Sequence, residues 1–467
     1  MKQVTVFSVV VLMLMSVNVF SAVELFPVCT ASGNQRFPAV DNTVIVWQDE
    51  RNGSSNRDLY GYDLIAEQEF AICTATGHQQ YPKVCGDVIV WQDARNSAVT
   101  GIDLYGFKLE SKQEFAICTA LGSQQFPAIN GGIVVWQDAR DTATANDIYA
   151  YDLTNEFEFL ICGDEGSQVR PAIDGNWVVW SDNRSGLYQV YGCQLAASTS
   201  MIGYTIIALS PSEFEQAYPV ISGNVIVWHE KRSDATGYDI YGLRLDTREE
   251  FVICNAPGWQ MNPVISGDLV IWQDERNGNT RTDIFGYDLS SGSELVISAT
   301  NANQINPALR GRLAAWQQND DIYAARMPLP TVLTVLEPDG GEMLLSGRTY
   351  EIAWQTEGPA IEQVRIAFSS DDGQSWQVVE PNVPDSGVYL WTTPDADSQA
   401  CLVRVSDIGA TGAADTSEAV FTVFRCDAAL TGDLTGDCRV DFEDFSVLAG
   451  QWLRCGNLYD ESWCNEQ

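Results

Sequence analysis

The chain has 467 residues, enough for two to four domains with a sizeable core. Its 26 basic and 63 acidic residues give a net charge of −37, which repels phosphate backbones and argues against nucleic acid as a partner. Because the sequence contains only two histidines, His78 and His229, histidine-based acid–base catalysis and histidine-rich metal sites are nearly excluded.

The N-terminus has the pattern of an export signal. Lys2 precedes an apolar run over residues 4–15, and small residues follow near Ser21 and Ala22. The alternative is an uncleaved membrane anchor, since residues 4–23 approach spanning length, but polar residues interrupt that stretch. We therefore expect residues 1–22 to be a cleaved signal peptide. This predicts a secreted protein, extracellular or on the cell surface, with no membrane span after cleavage.

Seven tryptophans recur along the chain at intervals of 44, 45, 44, 48, 44 and 44 residues. They are Trp47, Trp91, Trp136, Trp180, Trp228, Trp272 and Trp316. In every copy a proline precedes the tryptophan by nine residues, and a glutamine precedes the proline by three. A period of this length predicts an array of units, each of which must stack on its neighbours to bury its apolar face.

One copy, residues 70–109, shows how a unit is built. It contains three short β-branched and aromatic runs separated by glycine and polar residues, and we expect a fourth short strand around Pro82. The run that ends at Trp91 is apolar at every position, as is typical of a strand covered on both faces. Four strands in each of seven units predict a seven-bladed β-propeller over residues 24–327.

The two ends of the array predict how the propeller closes. Residues 24–30 match the last strand of a unit, whereas residues 320–326 match the strand before it. The seventh unit therefore lacks its final strand, and residues 25–29 should supply it by pairing with residues 321–325. Such pairing would leave no open sheet edge.

The repeat resembles a known family. Its pattern is Pro-x(3)-Gly/Asn-x-x-Val-Val-Trp, then Asp-x-Arg, then Asp-Ile-Tyr-x-x-Asp-Leu, and residues 263–289 show it best. This pattern resembles the TolB-like, or WD40-like, β-propeller repeat, over about residues 24–327. The resemblance implies a propeller that binds proteins or glycans, with lyases and peptidase companions among its relatives.

An acidic residue and an arginine follow six of the seven tryptophans in an acid-x-Arg pattern. The pairs are Asp49/Arg51, Asp93/Arg95, Asp138/Arg140, Asp182/Arg184, Glu230/Arg232 and Asp274/Arg276. One interpretation is a ring of carboxylates around the central channel, suited to a cation or a basic peptide. The other is an ion pair that braces each unit. We favour the brace, because function in repeat arrays usually lies where the copies differ.

The copies differ most in the fourth and seventh units. In the fourth, Gln189 replaces the usual aspartate, and extra residues within 196–204 lengthen a connection. We consider a pocket or partner face near these units. His229 replaces the glutamine that follows tryptophan in most copies. Either His229 forms a His–Glu base with Glu230, or it is a substitution that the repeat tolerates; we favour the second interpretation. No catalytic residue is assigned.

Nine of the twelve cysteines fall into two groups, and Cys85, Cys193 and Cys401 belong to neither. Five occupy the same repeat position, where equivalent sites lie too far apart to bridge, so small buried filler explains them: Cys29, Cys73, Cys118, Cys162 and Cys254. Four crowd into the last 42 residues and are expected to act as staples, with their pairing left open: Cys426, Cys438, Cys455 and Cys464.

After residue 330 the repeat stops. Residues 331–424 alternate strand-like runs with Gly/Asp/Pro turns, which predicts a small β-sandwich. Residues 334–354 resemble the start of the Ig-like modules of secreted surface proteins. Residues 369–376 match an Asp-box, which is expected to brace a β-hairpin through Asp371 and Ser369.

The tail, residues 426–467, carries the strongest chemical motif. Six residues occupy positions 1, 3, 5, 7, 9 and 12 of an EF-hand-type loop: Asp433, Thr435, Asp437, Arg439 through its carbonyl, Asp441 and Asp444. Because Ca²⁺ takes six to eight hard oxygen ligands, we predict calcium as the cofactor. An apolar helical pattern follows at Phe445, Leu448 and Trp452.

Residues 430–454 resemble the loop and helix of a dockerin type I repeat, which implies attachment to a cohesin-like protein. Two departures are Cys438 in place of the glycine at position 6 and Thr435 in place of the usual asparagine. The second copy of loop and helix that dockerins carry is missing.

These features together predict a mainly β protein: a seven-bladed β-propeller, then an Ig-like β-sandwich, then a small α-helical calcium-loop module. We expect a secreted binding or scaffold protein that recognises a polysaccharide or a cell-surface protein and attaches through its calcium-dependent tail. The alternative is a polysaccharide-degrading enzyme, a propeller lyase or glycosidase, that carries a dockerin.

Overall fold

The structure is a computed structural model that describes residues 23–141, 145–195, 204–233, 237–278, 281–327, 331–358, 360–409, 413–426, 432–435, 438 and 440–451. The chain divides into two compact units, of which one is Ala22–Pro328 and the other contains Leu329–Gln467. Among the described residues the protein is mainly β, with 37 strands and a single helix. No described helix is both long and apolar enough to cross a membrane.

Seven four-stranded antiparallel sheets make up the described part of the first unit. Their inner strands each begin at a repeat glutamine: β2 Gln35–Asp41, β6 Gln79–Cys85, β10 Gln124–Asn130, β14 Gln168–Asp174, β18 Gln216–Ser222, β22 Gln260–Ser266 and β26 Gln304–Arg310. The second strands each contain a repeat tryptophan: β3 Val44–Asp49, β7 Val88–Asp93, β11 Ile133–Asp138, β15 Trp177–Asp182, β19 Val225–Ser233, β23 Leu269–Asp274 and β27 Leu313–Gln318.

The third strands follow: β4 Asp58–Asp63, β8 Asp103–Lys108, β12 Asp147–Asp152, β16 Gln189–Gln194, β20 Gly237–Arg244, β24 Asp283–Asp288 and β28 Asp321–Arg326. The outer strands complete the sheets: β5 Gln68–Cys73, β9 Gln113–Cys118, β13 Phe157–Cys162, β17 Ile207–Ala208, β21 Glu250–Cys254, β25 Ser293–Ser298 and β1 Glu24–Cys29. The expected strand around Pro82 is β6.

The ring closes through β1, the first strand of the chain. It lies at the outer edge of the last sheet, antiparallel to β28, with Leu25 opposite Ala325 and Phe26 opposite Ala324. This confirms the predicted pairing of residues 25–29 with residues 321–325. The inner strands also contact one another in a closed cycle, from β2 through β6, β10, β14, β18 and β22 to β26 and back to β2.

The repeat tryptophans form the core between sheets. All seven are fully buried. Each packs against the sheet that precedes it, as Trp91 does against Val46 and Leu59 of the first sheet. Trp47 packs against Ala315 and Ile322 of the last sheet, so the same contact continues across the closure. No sheet buries its own tryptophan face alone, which is the physical reason for the array.

Polar side chains at the end of each inner strand tie neighbouring sheets together. Asp41 accepts a hydrogen bond from the backbone N–H of Gly86, at 2.5 Å, and Ser266 accepts one from Gly311 at 2.8 Å. Both glycines have a left-handed φ, near +55°, in the tight turn that follows the inner strand. Arg310 lies 3.6 Å from Asp41, which joins the seventh sheet to the first.

The second unit contains the remaining described elements: β29 Val332–Glu337, β30 Met343–Leu345, β31 Thr349–Glu357, β32 Gln363–Ser369, β33 Gln377–Pro384, β34 Val388–Thr392, β35 Ser398–Asp407, β36 Ala414–Thr416, β37 Phe421–Phe424 and the helix α1 Phe442–Gln451. Strands β29, β31 and β34 form one sheet, and β30, β37, β35, β32 and β33 form another, with β36 paired to β35. The two sheets share one core, which includes Trp354 from the first sheet and Phe421 from the second.

Candidate functional site

The repeated acidic residues are buried and take part in a network that we call the brace. In the third sheet, Asp138 accepts hydrogen bonds from Trp136 Nε1 at 2.8 Å and from an Arg140 nitrogen at 2.7 Å. Arg140 also bonds Glu158 on the outer strand at 2.5 Å and stacks on Tyr149, 4.1 Å from the ring centre. The brace thus links the second, third and outer strands of one sheet.

The same brace recurs in every sheet that carries the acid-x-Arg pattern, except that Arg184 of the fourth sheet pairs with Asp164, just after β13 of the third sheet, and not with its own outer strand. The acidic residue is fully buried in each: Asp49, Asp93, Asp138, Asp182, Glu230 and Asp274. Each accepts a hydrogen bond from its tryptophan at 2.8 or 2.9 Å. These carboxylates form no ring around the channel, so the interpretation as a structural brace is correct.

The repeat cysteines belong to the same network. Burial raises the pKa of the Cys73 thiol to about 12, and Arg95 donates a hydrogen bond to its sulfur at 3.2 Å. All five repeat cysteines are free and buried, which confirms that they do not bridge. A thiol with so high a pKa is not a nucleophile at neutral pH.

The seventh sheet lacks the brace. Gln318 replaces the acidic residue, and it accepts a hydrogen bond from Gln304 at 2.9 Å. The indole nitrogen of Trp316 consequently has no hydrogen-bond partner among the described residues.

Two other residues that depart from the repeat pattern, Gln189 in the fourth sheet and His229 in the fifth, have structural roles. Gln189 accepts a hydrogen bond from the Ser212 amide at 2.6 Å and donates one to the Phe214 carbonyl at 2.7 Å, so it orders a connection. His229 is buried, and its Nδ1 accepts a hydrogen bond from the backbone N–H of Asn262 at 3.2 Å. Burial lowers the pKa of His229 to about 4. The imidazole is therefore neutral at pH 7 and has a structural role.

Seven residues that directly precede the repeat prolines form a ring at the propeller axis, which we call the lumen ring. Its members share a left-handed φ between +50° and +56°: Phe37, Tyr81, Phe126, Arg170, Tyr218, Asn262 and Asn306. In each inner strand the register shifts at this point, which is a β-bulge. Because the inner strands surround the axis, the bulge directs the side chain towards the lumen.

The unusual backbone of the lumen ring is held from the preceding sheet. In four of the seven copies the residue after the repeat tryptophan accepts a hydrogen bond from the backbone N–H of the ring residue one sheet later; these acceptors are Gln92, Gln137, His229 and Gln273. Gln92 accepts from Phe126 at 2.8 Å, and Gln273 accepts from Asn306 at 2.8 Å. Left-handed backbone at a non-glycine residue costs of order 1 kcal/mol or more, and these bonds offset it.

The side chains of five consecutive lumen-ring residues, from Phe37 to Tyr218, contact one another in sequence. The rings of Phe37 and Tyr81 lie 4.5 Å apart, and those of Tyr81 and Phe126 lie 4.9 Å apart. The Arg170 guanidinium lies 3.4 Å from the centre of the Phe126 ring and 4.6 Å from that of Tyr218. Aromatic faces thus hold one cation at the axis.

A chain of aromatic contacts, the aromatic path, leads from the lumen ring to the surface. Tyr218 contacts His229 at 5.0 Å, and His229 contacts Tyr238 at 5.1 Å between ring centres. Tyr238 meets Trp259 edge-to-face at 5.6 Å. The path is open to solvent at both ends, since Tyr218 is 37% and Trp259 is 46% exposed.

Lys83 is the second cation of the lumen. It lies two residues after Tyr81, where the other copies have alanine or valine. Its side chain is exposed to solvent, yet desolvation by the surrounding protein lowers the pKa of Lys83, and the charge of Arg170 lowers it further. Because β6 is an inner strand, Lys83 lies beside the lumen ring.

Sequence reasoning missed the lumen ring and Lys83. The available signal was the residue before each repeat proline, which is aromatic in four copies and arginine in one while the proline stays constant. Because this residue varies while the proline after it does not, its side chain is not required by the fold of the repeat.

The predicted calcium ligands lie in the second unit. The structure describes Asp433, Thr435, Asp441 and Asp444, whereas Asp437 and Arg439 lie outside the described residues. Thr435 Oγ1 lies 3.4 Å from Asp433 Oδ1 and 3.1 Å from Asp444 Oδ1. Ligands held 2.3–2.6 Å from one Ca²⁺ lie at comparable distances from each other, so these three oxygens fit the ion.

Two further features shape the loop. Hydrogen bonds from the backbone N–H groups of Asp441 and Thr435 lower the pKa of Asp444. Cys438 forms a disulfide with Cys426 and has a left-handed φ of +67°. It thus adopts at position 6 the backbone for which EF-hand loops use glycine. The other two tail cysteines, Cys455 and Cys464, lie outside the described residues.

The Asp-box braces a turn, as predicted. Asp371 accepts hydrogen bonds from Ser369 Oγ at 2.7 Å and from the Ser375 amide at 2.8 Å. The hydrogen bonds from Ser375 lower the pKa of Asp371.

Neither a family model nor a curated protein matches the chain. Among solved structures it is similar to the β-propeller domain of the Trilobed protease from Pyrococcus furiosus, with 9% identity and a TM-score of 0.50 over 64% of this chain and 94% of that one. It is also similar to TolB from Acinetobacter baumannii, with 11% identity and a TM-score of 0.38 over 62% of this chain and 78% of that one. For the acylaminoacyl peptidase of Pyrococcus horikoshii the identity is 10% and the TM-score 0.44, over 73% of this chain and 56% of that one.

The likeness to the Pyrococcus furiosus domain shows a β-propeller fold and nothing about activity. That domain is described as having an open velcro topology. Here, by contrast, β1 and β28 pair across the closure. The propeller part of the predicted resemblance is thus confirmed, while its Ig-like and dockerin parts stay predictions.

Proposed function

We propose that the chain is a secreted binding protein, extracellular or on the cell surface, whose seven-bladed propeller is a recognition platform. One observation carries this proposal: the repeated charges serve the brace, whereas the side chains at the axis differ between copies. A lumen ring of four aromatic residues, one arginine and two asparagines offers varied contacts on one repeated backbone conformation. Such variation on a rigid scaffold is typical of binding surfaces.

The chemistry at the axis supports binding over catalysis. The histidine that contacts the lumen ring, His229, is neutral, and its Nδ1 already accepts a hydrogen bond from the backbone N–H of Asn262. The neighbouring Glu230 accepts hydrogen bonds from Trp228 and Gln216, at 2.9 and 3.1 Å, and belongs to the brace. The pair therefore does not support the His–Glu base considered from the sequence.

The test is a glycan array probed with the labelled full-length protein, with a reducing-sugar assay on every glycan that binds. Binding without release of sugar supports the recognition platform. Release of new reducing ends favours the alternative, a propeller lyase or glycosidase. Absence of any bound glycan or cell-surface protein would contradict the proposal.

We further propose that the tail is a dockerin-like module that binds Ca²⁺ and attaches the protein to a cohesin-like or cell-surface partner. The ligands would be Asp433, Thr435, Asp441 and Asp444, completed by Asp437 and the Arg439 carbonyl. The convergence of three oxygens near Thr435 supports this assignment. Bound Ca²⁺ would tie the loop to the start of α1 and thereby present the helix to a partner.

Calorimetric titration of the full-length protein with Ca²⁺ tests the second proposal. We expect a dissociation constant of about 10⁻⁴ M, in the range of extracellular modules. Asp444→Asn should weaken it at least tenfold, because the loop loses one anionic ligand. Glu418→Gln, which alters an exposed carboxylate of the same unit, is the control and should leave the affinity unchanged. Equal affinities for wild type and Asp444→Asn would rule out the assigned loop.

A further inference from the structure

Two cations, Arg170 of the lumen ring and Lys83 beside it, lie on the inner strands of a protein that is strongly acidic overall. The net charge is −37, yet Lys83 and Arg170 lie close enough for the charge of Arg170 to influence Lys83. Among the described residues, neither forms an ion pair with a carboxylate, whereas the arginine of each brace has two such partners. Bringing two like charges together without counter-ions is unfavourable, so the arrangement needs an explanation.

An anionic ligand supplies the missing counter-charge. The Arg170 guanidinium is held in place by Phe126 and Tyr218 on its two sides, which orients it without neutralising it. Its planar group of donors matches a carboxylate, and Lys83 adds a second, flexible donor. Enclosure by protein strengthens both interactions relative to bulk water.

The aromatic path narrows the ligand class. It begins beside Arg170 at Tyr218 and ends at Trp259, both partly exposed. Exposed aromatic faces stack on the apolar face of a sugar ring, and a tryptophan at the rim of a channel suits that contact. An acidic peptide side chain would use the cations and leave the path unused. A sugar that bears a carboxylate uses both.

We propose that the propeller lumen binds a short uronic-acid oligosaccharide, with a carboxylate on Arg170 and Lys83 and a sugar ring on the exposed face of Trp259. The inference rests on the proposed function of the propeller as a recognition platform, and it names the class of ligand and the residues that bind it. Because the field of the whole protein opposes long polyanions, the ligand is a short oligosaccharide or a chain end.

The test uses calorimetric titration of the full-length protein with tetrasaccharides of galacturonate, glucuronate and mannuronate. Two controls separate the contribution of the carboxylates from that of the sugar rings. The methyl-esterified tetrasaccharides keep the rings and remove the charge. A hexaglutamate peptide carries carboxylates and has no sugar rings. We expect one of the uronate tetrasaccharides to bind at least about tenfold more tightly than both controls.

The protein variants are taken from other copies of the repeat, so that each residue already fits its position. Lys83→Ala uses the residue of four other inner strands, Arg170→Asn that of two lumen-ring positions, and Trp259→Ser that of two other copies. Lys83→Ala and Arg170→Asn should each weaken uronate binding about tenfold or more, and Trp259→Ser several-fold. Lys108→Ala, at an exposed lysine on β8, is the control and should have no effect.

The outcomes separate this inference from the function on which it rests. If no uronate tetrasaccharide binds better than its ester, or if the lumen variants bind as the wild type does, the inference is wrong. Tighter binding of hexaglutamate overturns it in favour of an acidic protein partner. In both cases the recognition platform survives if the protein binds another glycan or a cell-surface protein, and it fails only if neither binds.

Discussion

The brace and the lumen ring lie in the same seven sheets, yet they behave in opposite ways. The brace has nearly the same residues in six copies, is buried, and satisfies its charges internally. The lumen ring has one backbone conformation in all seven copies and four kinds of side chain. A charge that recurs with its partner holds the sheet together. In the lumen ring the backbone conformation is constant while the side chain varies, so the side chain is available for recognition.

The largest expected effect comes from removing the strand that closes the ring. Deletion of residues 24–29 leaves β28 without its partner and opens the core around Trp47, which includes Val28 and Cys29. We expect a loss of at least about 5 kcal/mol or of cooperative unfolding altogether, measured by thermal and chemical denaturation. Leu25→Ser, at a half-exposed side chain of the same strand, should change stability little. A truncated protein that melts near the wild-type temperature would show that β1 does not close the ring.

Breaking one brace should have the next largest effect. Asp138→Ala leaves the Trp136 indole N–H without its acceptor and Arg140 without its buried partner. We expect a loss of about 3–5 kcal/mol in the free energy of unfolding, from the denaturant midpoint. Glu165→Ala, at an exposed carboxylate of the fourth repeat, should stay within about 0.5 kcal/mol. Similar costs for the two variants would contradict the structural role of the brace.

His229 should make stability depend on pH in the acid range. The pKa of His229 is lowered from 6.5 to about 4 in the folded protein by burial. The unfolded chain therefore binds the proton first. The contribution of neutral His229 is fully present above pH 6.5 and is lost as pH falls from 6.5 through 4, by about 3 kcal/mol in total.

Replacing His229 with the glutamine of other copies removes this pH-dependent contribution to stability. Unfolding of wild type and His229→Gln should be compared at pH 7, 5.5 and 4. The wild type should lose about 3 kcal/mol more than the variant over that range. Parallel pH profiles would show that the imidazole is not held neutral by burial.

A smaller effect separates the sixth sheet from the seventh. Trp272 Nε1 donates to Asp274 at 2.8 Å, whereas Trp316 Nε1 has no partner among the described residues. Both indoles are fully buried, so replacing either by phenylalanine removes a similar volume. Trp272→Phe should cost about 1–2 kcal/mol more than Trp316→Phe in urea denaturation, because only the former removes a hydrogen bond. An equal cost would mean that the hydrogen bond contributes nothing.

The smallest effect on stability is expected in the lumen. Arg170→Asn and Lys83→Ala should each shift the free energy of unfolding by less than about 1 kcal/mol, because each removes an unpaired charge and introduces a residue that the repeat already uses. Thermal melts measure this effect. Destabilisation as large as that of Asp138→Ala would mean that these residues hold the fold together as the brace does. The distinction between a structural brace and a lumen available for recognition would then be wrong.

The calcium loop and the closure of the ring were both predicted from the sequence, by different routes. The oxygens of Asp433, Thr435 and Asp444 were assigned from spacing alone, and the structure brings these three together. The pairing of β1 with β28 followed from counting which strand type was missing. The closure is confirmed because a repeated strand order records which strand is missing, whereas calcium binding by the twelve-residue loop stays a prediction.

The sequence by itself determined the repeated strands, the buried tryptophans, the brace as a structural element and the strand that closes the ring. Each of these depends on neighbours within one unit or on the order of units, and a periodic pattern records both. Only the tertiary structure decided that Lys83 lies within electrostatic reach of Arg170, 87 residues away, and that Tyr218 leads through His229 and Tyr238 to Trp259. Those contacts exist because seven inner strands converge on one axis, and no spacing along the chain encodes which side chains meet there.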